Sequence, residues 1–167
     1  MTVLETARLT LRPPVDADAP RLAALSSDLR VARMVSRIPH PDTEAQVLDF
    51  LAGARAAGAV VFAVDDGEAI GMAGLEKGEP GYWIAPAAWG RGCATEAAGA
   101  LLAHGFGALG MDRVRAQVFA DNPASARVLA KLGFRPVGRT TARSLAREAE
   151  VEAVELVLDR TDWEAAR

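Results

Sequence analysis

Tyr82-Trp83-Ile84-Ala85-Pro86-Ala87-Ala88-Trp89-Gly90-Arg91-Gly92-Cys93-Ala94-Thr95-Glu96-Ala97 reads as a short apolar strand, a glycine-rich turn and the start of an alanine-rich helix. A turn of this kind leaves several backbone N–H groups unpaired at the positive end of the helix dipole. Glycines at 90 and 92 remove Cβ atoms that would keep a ligand off the main chain. The segment is therefore an anion cradle, suited to a phosphate or pyrophosphate.

Outward from the cradle, Gly81 to Ala85 is the entering strand and the helix runs to about Leu109. Val114 to Phe119 forms the next buried strand. Asp121-Asn122-Pro123-Ala124-Ser125-Ala126-Arg127-Val128-Leu129-Ala130-Lys131-Leu132-Gly133-Phe134 then spells a helix with both ends marked. Asn122 is a good N-cap, Pro123 fits the first helical position, and Gly133 suits the left-handed residue after the last turn. Two successive strand-to-helix junctions at the C-terminal ends of strands bring Asn122 and Ser125 to the ligand edge that holds Gly90 and Gly92.

Two familiar owners of such a turn fit poorly. A triphosphate loop needs Lys followed by Ser or Thr after its second glycine, and Cys93-Ala94-Thr95 stands there instead. A dinucleotide fingerprint needs Gly or Ala where Thr95 stands, and Asp112 opens the next strand instead of ending it.

Upstream, Arg8-Leu9-Thr10-Leu11-Arg12 alternates as a strand and stops at Pro13-Pro14. Asp16 or Asp18 is placed to cap a helix to about Ser26. Ile38-Pro39-His40-Pro41-Asp42 is a rigid turn, because each proline turns its predecessor away from helix. Thr43 and Gln46 form a capping box opening a helix to about Ala57, with Val47, Phe50 and Leu51 inward. Val60 to Val64 and Ala69 to Leu75 are apolar strands joined by an Asp-Gly hairpin turn at 65–68. Val151 to Leu158 is a closing strand, preceded by a polar connector at Arg143 to Glu150. The order describes one mixed α/β (or α+β) domain over residues 1–167.

Composition narrows the setting. Nineteen basic against 22 acidic residues give a net charge of −3, without the basic footprint of a nucleic-acid binder. The longest apolar run, Ala56 to Val64, covers nine residues and contains Gly58, about half of a membrane span. Met1-Thr2-Val3-Leu4-Glu5 lacks an export signature, so a cytoplasmic location is expected. The single cysteine, Cys93, excludes an intrachain disulfide and a multi-thiolate metal site, and no metal is expected.

Together the two motifs resemble the GNAT superfamily of acyl-CoA-dependent N-acetyltransferases, and most of all its RimJ/RimL-type branch. The resembling segments are Arg8 to Pro13, Arg37 to Pro41, Tyr82 to Ile84 with Trp89 to Ala97, Asn122 to Phe134, and Asp162-Trp163. The resemblance implies a mixed sheet of six to seven strands flanked by about four helices, with a splayed pair of parallel central strands. It implies acetyl-CoA as cosubstrate, held by Trp83, Ile84, Ala85, Trp89, Gly90, Arg91, Gly92, Cys93, Ala94, Thr95, Asn122 and Ser125. A strand bulge near Trp83 or Ile84 would aim a backbone N–H at the thioester carbonyl, a type of donor worth about 3 kcal/mol. Many members carry a tyrosine general acid where this chain has Leu129. Ser125 is the expected substitute at the departing thiolate, with a cofactor-binding or capping hydroxyl as the equal alternative.

An amine nucleophile must lose a proton before it attacks. Glu76 and Glu79, just before the cradle strand, and His40 in the proline-flanked turn are candidate bases, with Glu76 preferred; a water chain is the alternative. His40 and Tyr82 are expected at the substrate mouth. Glu96 reads as a carboxylate complementing the helix dipole. The expected reaction is direct attack of an amine on acetyl-CoA through a tetrahedral intermediate. The amine is expected to be a protein or peptide α-amine. A small amine, such as a polyamine or aminoglycoside, and a non-catalytic acyl-CoA-binding module are the other readings. Dimerisation is common among relatives, and nothing in this chain establishes it.

Overall fold

Two sheets meet along the edge that the cradle strand occupies. The computed structural model describes residues 1–167. Eight strands form a five-stranded sheet in the order β1-β2-β3-β4-β5 and a three-stranded sheet in the order β6-β8-β7. The first holds β1 (Leu4–Glu5), β2 (Thr10–Arg12), β3 (Val60–Asp65), β4 (Ala69–Glu76) and β5 (Glu79–Ile84). The second holds β6 (Arg113–Phe119), β7 (Arg135–Ser144) and β8 (Ala149–Asp159). All ladders within them are antiparallel. Six α-helices accompany them: α1 (Ala19–Ser26), α2 (Leu29–Ala32), α3 (Glu44–Ala57), α4 (Cys93–Phe106), α5 (Pro123–Leu132) and α6 (Arg160–Ala165).

The expected splay lies between β5 and β6. Helix α4 crosses from one to the other, the connection that neighbouring parallel strands need. Arg115 N–H reaches the Gly78 carbonyl at 3.1 Å where the two strands begin. No ladder joins them beyond that point, and they belong to separate sheets. One buried cluster packs α4 against the first sheet through Leu11, Phe62, Val64 and Leu101. A second packs α4 and α5 against the other sheet through Leu102, Val114, Leu129 and Leu158. Tyr82 leans on both clusters, so its ring closes the base of the splay. A third cluster seats α1 and α3 on the opposite face of β4 through Leu22, Leu51 and Met72.

Several boundaries differ from expectation, each for a physical reason. Strand β7 went unread because nine of its ten residues are exposed or half-buried, with only Ser144 fully buried, and it pairs solely with β8. Arg143 to Glu150 is accordingly the tip of a long hairpin and not a loose connector. Helix α4 stops at Phe106 instead of about Leu109. Phe50 is 45% exposed and borders an open cavity, while Val47 and Leu51 face the core as expected. Asp18 does not cap α1. Its carboxylate takes a two-pronged hydrogen bond from Arg12, both at 2.8 Å, and accepts the Val15 N–H at 2.8 Å. That guanidinium holds the carboxyl below its ordinary range. Asp16 lies in the same short turn, and its carboxylate pairs with Arg55 at 2.8 Å.

The capping box is present as read: Thr43 Oγ1 accepts the Gln46 N–H at 3.2 Å and Gln46 Oε1 accepts the Thr43 N–H at 2.9 Å. Thr43→Ala is expected to cost about 1 kcal/mol. A thermal melt should show this as a fall of roughly 2–4 °C. An unchanged midpoint would mean that tertiary contacts alone hold the α3 start.

Candidate active site

The cradle owes its geometry to two left-handed glycines. Gly90 and Gly92 sit at φ +74° and +78°, a region that side-chain-bearing residues avoid. Gly92 is the N-cap of α4 and offers no side-chain acceptor to the first turn. The first backbone bond of the helix is Glu96 N–H to the Gly92 carbonyl at 3.0 Å. From Gly90 through Thr95 every amide N–H lacks an intramolecular acceptor. Consecutive free donors at a helix start form an anion-binding concavity.

Side chains far away in sequence brace this turn. Arg8 Nη1 donates to the Arg91 carbonyl at 2.6 Å, and Arg8 Nε donates to Glu96 Oε2 at 2.7 Å. Thr6 Oγ1 and the Arg8 N–H both donate to Glu96 Oε1, at 2.6 and 2.8 Å. Burial alone would raise the Glu96 carboxyl, but these bonds outweigh it and hold it below its ordinary value. Glu96 is thus a clamp between the N-terminal strands and α4 as well as a dipole partner. No local signal marks Arg8, because its partners are 83 and 88 residues away. On the other side, Trp89 Nε1 donates to the Ile84 carbonyl at 2.7 Å, tying the strand end to the turn.

The end of β5 presents its own donor. Ala85 N–H bonds the Ile70 carbonyl at 2.8 Å, so Ala85 faces β4. Antiparallel alternation then turns both polar groups of Ile84 away from β4. The Ile84 carbonyl indeed meets Trp89 on that far side, and the Ile84 N–H shares its direction. Gly71, opposite Ile84, has no space for a side chain: a Cβ would lie 2.1 Å from the Trp83 carbonyl oxygen.

A cavity of about 1190 Å³ opens at the splay. Its walls come from β4, β5, the cradle, β6, α5 and the inner faces of α1 and α3. Trp83, Ile84 and Trp89 line it, as do Gly90, Gly92 and Cys93 through Thr95. Asn122, Ser125, Tyr82, Glu76 and Glu79 line it too. Three candidates lie elsewhere. Ala85 is spent on the sheet bond, Arg91 pairs with Asp66 at 3.1 Å, and His40 is exposed outside the lining.

Within the cavity the two carboxylates face different fates. Glu76 is paired with Arg37, whereas Glu79, directly across the hairpin, has no ion-pair partner. Asn122 Oδ1 accepts the Ser125 N–H at 3.2 Å, which fixes Ser125 at the start of α5. Ser125 Oγ and the Tyr82 hydroxyl share a hydrogen bond of 2.8 Å. Burial pushes the Tyr82 phenol up, more than the Ser125 contact brings it down. At the α1 wall, Ser26 Oγ donates to Asp42 Oδ2 at 2.6 Å, and burial raises the Asp42 carboxyl.

Comparison with known proteins gives a consistent picture. Residues 8–135 match the family model described as an acetyltransferase (GNAT) domain. The uncharacterized N-acetyltransferase YoaA of Bacillus subtilis (strain 168) is 34% identical over 149 residues, covering 81% of this chain and 84% of that protein. The ribosomal-protein-S5-alanine acetyltransferase of Vibrio fischeri superposes with a TM-score of 0.80 at 23% identity, over 98% of this chain and 99% of that one. The spermidine N-acetyltransferase of Vibrio cholerae, solved with CoA and spermine, gives 0.82 at 17% identity, over 95% and 99%.

Proposed function

The chain belongs to the acetyltransferase (GNAT) domain family and is an acyl-CoA-dependent N-acetyltransferase, and from that premise we propose that it moves an acetyl group from acetyl-CoA to the α-amine of a peptide or protein. We further assign residues 1–167 to one catalytic domain. The observation that carries the cosubstrate is the run of free amides from Gly90 to Thr95 at the rim of the cavity. Those donors hold the pyrophosphate, and Asn122 flanks them. The pantetheine arm then runs down the splay, where β5 and β6 leave their facing edges unpaired.

At the far end the residues divide the work. Glu79 starts the strand that ends at Ile84, roughly 17 Å away, and takes the proton of the attacking amine through intervening water, in keeping with its freedom from ion pairing. The Ile84 N–H bonds the thioester oxygen as charge gathers there. Nitrogen bonds carbon as the carbon–sulfur bond breaks, and the electron pair leaves on sulfur. Ser125 donates a hydrogen bond to that sulfur, which afterwards takes its proton from solvent.

The peptide reading follows the ribosomal-protein-S5-alanine acetyltransferase, whose fold this chain shares over 98% of its length. Of the cations in the lining, Arg30, Arg33 and Arg37 are paired with Asp28, Asp121 and Glu76, which leaves Arg127 and Lys131 beside Asp42 and Glu79. A lining balanced in that way gives a polycation, such as the spermidine of the Vibrio cholerae relative, no electrostatic advantage. Thiol release should be followed with acetyl-CoA and a panel of N-terminal peptides, spermidine, spermine and an aminoglycoside. Peptides are expected to show the highest kcat/KM. A polyamine or aminoglycoside that beat every peptide would overturn the substrate class. Calorimetry without acetyl-CoA binding would overturn the whole reading.

A further inference from the structure

Tyr82 is the only tyrosine of the chain, and no role in the chemistry has so far fallen to it. Its ring packs between the two buried clusters on either side of α4. Its hydroxyl crosses the splay from β5 to the first turn of α5 and meets Ser125 Oγ at 2.8 Å. Both residues line the cavity where the strands part. A hydrogen bond across an otherwise unpaired gap fixes the relative position of the strand carrying the Ile84 N–H and the helix carrying Ser125.

The direction of that bond matters. A serine hydroxyl has one proton and two lone pairs. If Ser125 donated to Tyr82, its proton would be used and none would remain for a leaving sulfur. A phenol is the stronger acid of the two (pKa about 10 in the unperturbed residue), so the phenol donates and the serine accepts. The Ser125 proton is then free, and hydrogen bonds in series polarise one another.

We propose that Tyr82 is a positioning residue for catalysis: by donating to Ser125 Oγ it turns the serine proton toward the thioester sulfur. This rests on the acetyl-transfer reading above. Tyr82 keeps its proton throughout, in line with the upward push on its phenol from burial. The bonds that change remain those of the transfer itself: nitrogen–carbon forms, carbon–sulfur breaks, Glu79 takes the amine proton and solvent protonates the thiolate.

Tyr82→Phe keeps the packed ring and removes the donor. It is expected to lower kcat about 10-fold, less than the roughly 100-fold or more of a group that itself handles the proton, because Tyr82 acts only through Ser125. KM values for acetyl-CoA and for the amine should stay within about twofold, since neither binding surface changes. Ser125→Ala should lower kcat further. The double variant should match Ser125→Ala alone, because Tyr82 acts only through Ser125. Uniform replacement of tyrosine by 3-fluorotyrosine alters this one residue, lowers the phenol pKa and preserves the fold. The alkaline limb of the kcat–pH profile should then shift to lower pH. Independent, multiplying effects of the two substitutions would overturn the proposal, as would a limb that does not move. A wild-type protein that acetylates nothing in the panel would instead overturn the reading beneath it.

Discussion

Gly90→Val is expected to weaken acetyl-CoA binding about 100-fold while leaving most of the fold intact. The argument starts from backbone conformation. At φ +74° a β-branched residue is a steric outlier, and the cost of holding it there is roughly 1–2 kcal/mol. A Cβ at this position meets no protein atom within 4 Å, so the strain lies in the backbone angle and not in a clash. The turn relaxes by rotating the peptide units around residues 90 and 91. That rotation withdraws amides from the converging set of six that runs to Thr95. Loss of two charge-assisted donors accounts for about 2.7 kcal/mol, or 100-fold in Kd. Calorimetric titration with acetyl-CoA reads the affinity, and a thermal melt should fall by only a few degrees. A Kd within threefold of the parent would show that the cradle amides do not hold the cosubstrate.

Legibility followed the range of the interactions. The cradle could be read because its geometry is written in adjacent residues: two glycines, no lysine, then a helix start. Helix α5 could be read for the same reason, since Asn122, Pro123 and Gly133 each act on backbone within a turn of themselves. Strand β7 could not. Its Arg-Pro-Val-Gly-Arg-Thr-Thr-Ala-Arg-Ser sequence carries no apolar stripe, and its existence depends on the partner β8. The site divides in the same way. Gly90 to Thr95 and Asn122 were visible from local pattern. The Arg8 clamp on Glu96 spans 88 residues and the Tyr82–Ser125 bond spans 43, so no local window contains either pair. Ser125 is expected from the sequence at the ligand edge and the departing thiolate, and Tyr82 at the substrate mouth; the bond between them belongs to the splay.

The choice between Glu76 and Glu79 turns on a distant side chain. Both carboxylates belong to one hairpin, paired across the β4–β5 ladder, and both border the cavity. Arg37, in the segment before α3, reaches Glu76 and leaves Glu79 free. The Glu76 carboxylate is occupied by the Arg37 guanidinium, whereas that of Glu79 is open to a ligand in the cavity. Glu79→Gln is therefore expected to lower kcat about 100-fold at neutral pH, the lower end of what a positioned general base contributes. The amide has nearly the same size and still accepts a hydrogen bond, so KM for acetyl-CoA should change less than threefold. Raising the pH supplies more of the amine in its neutral form, and the deficit of the variant should narrow as it does. Glu76→Gln should lower kcat less than about threefold, because it removes an exposed ion pair worth at most about 1 kcal/mol. Steady-state rates of both variants across pH 6 to 10 separate the two carboxylates. Equal, small losses would mean that water carries the proton away and that neither side chain is the base.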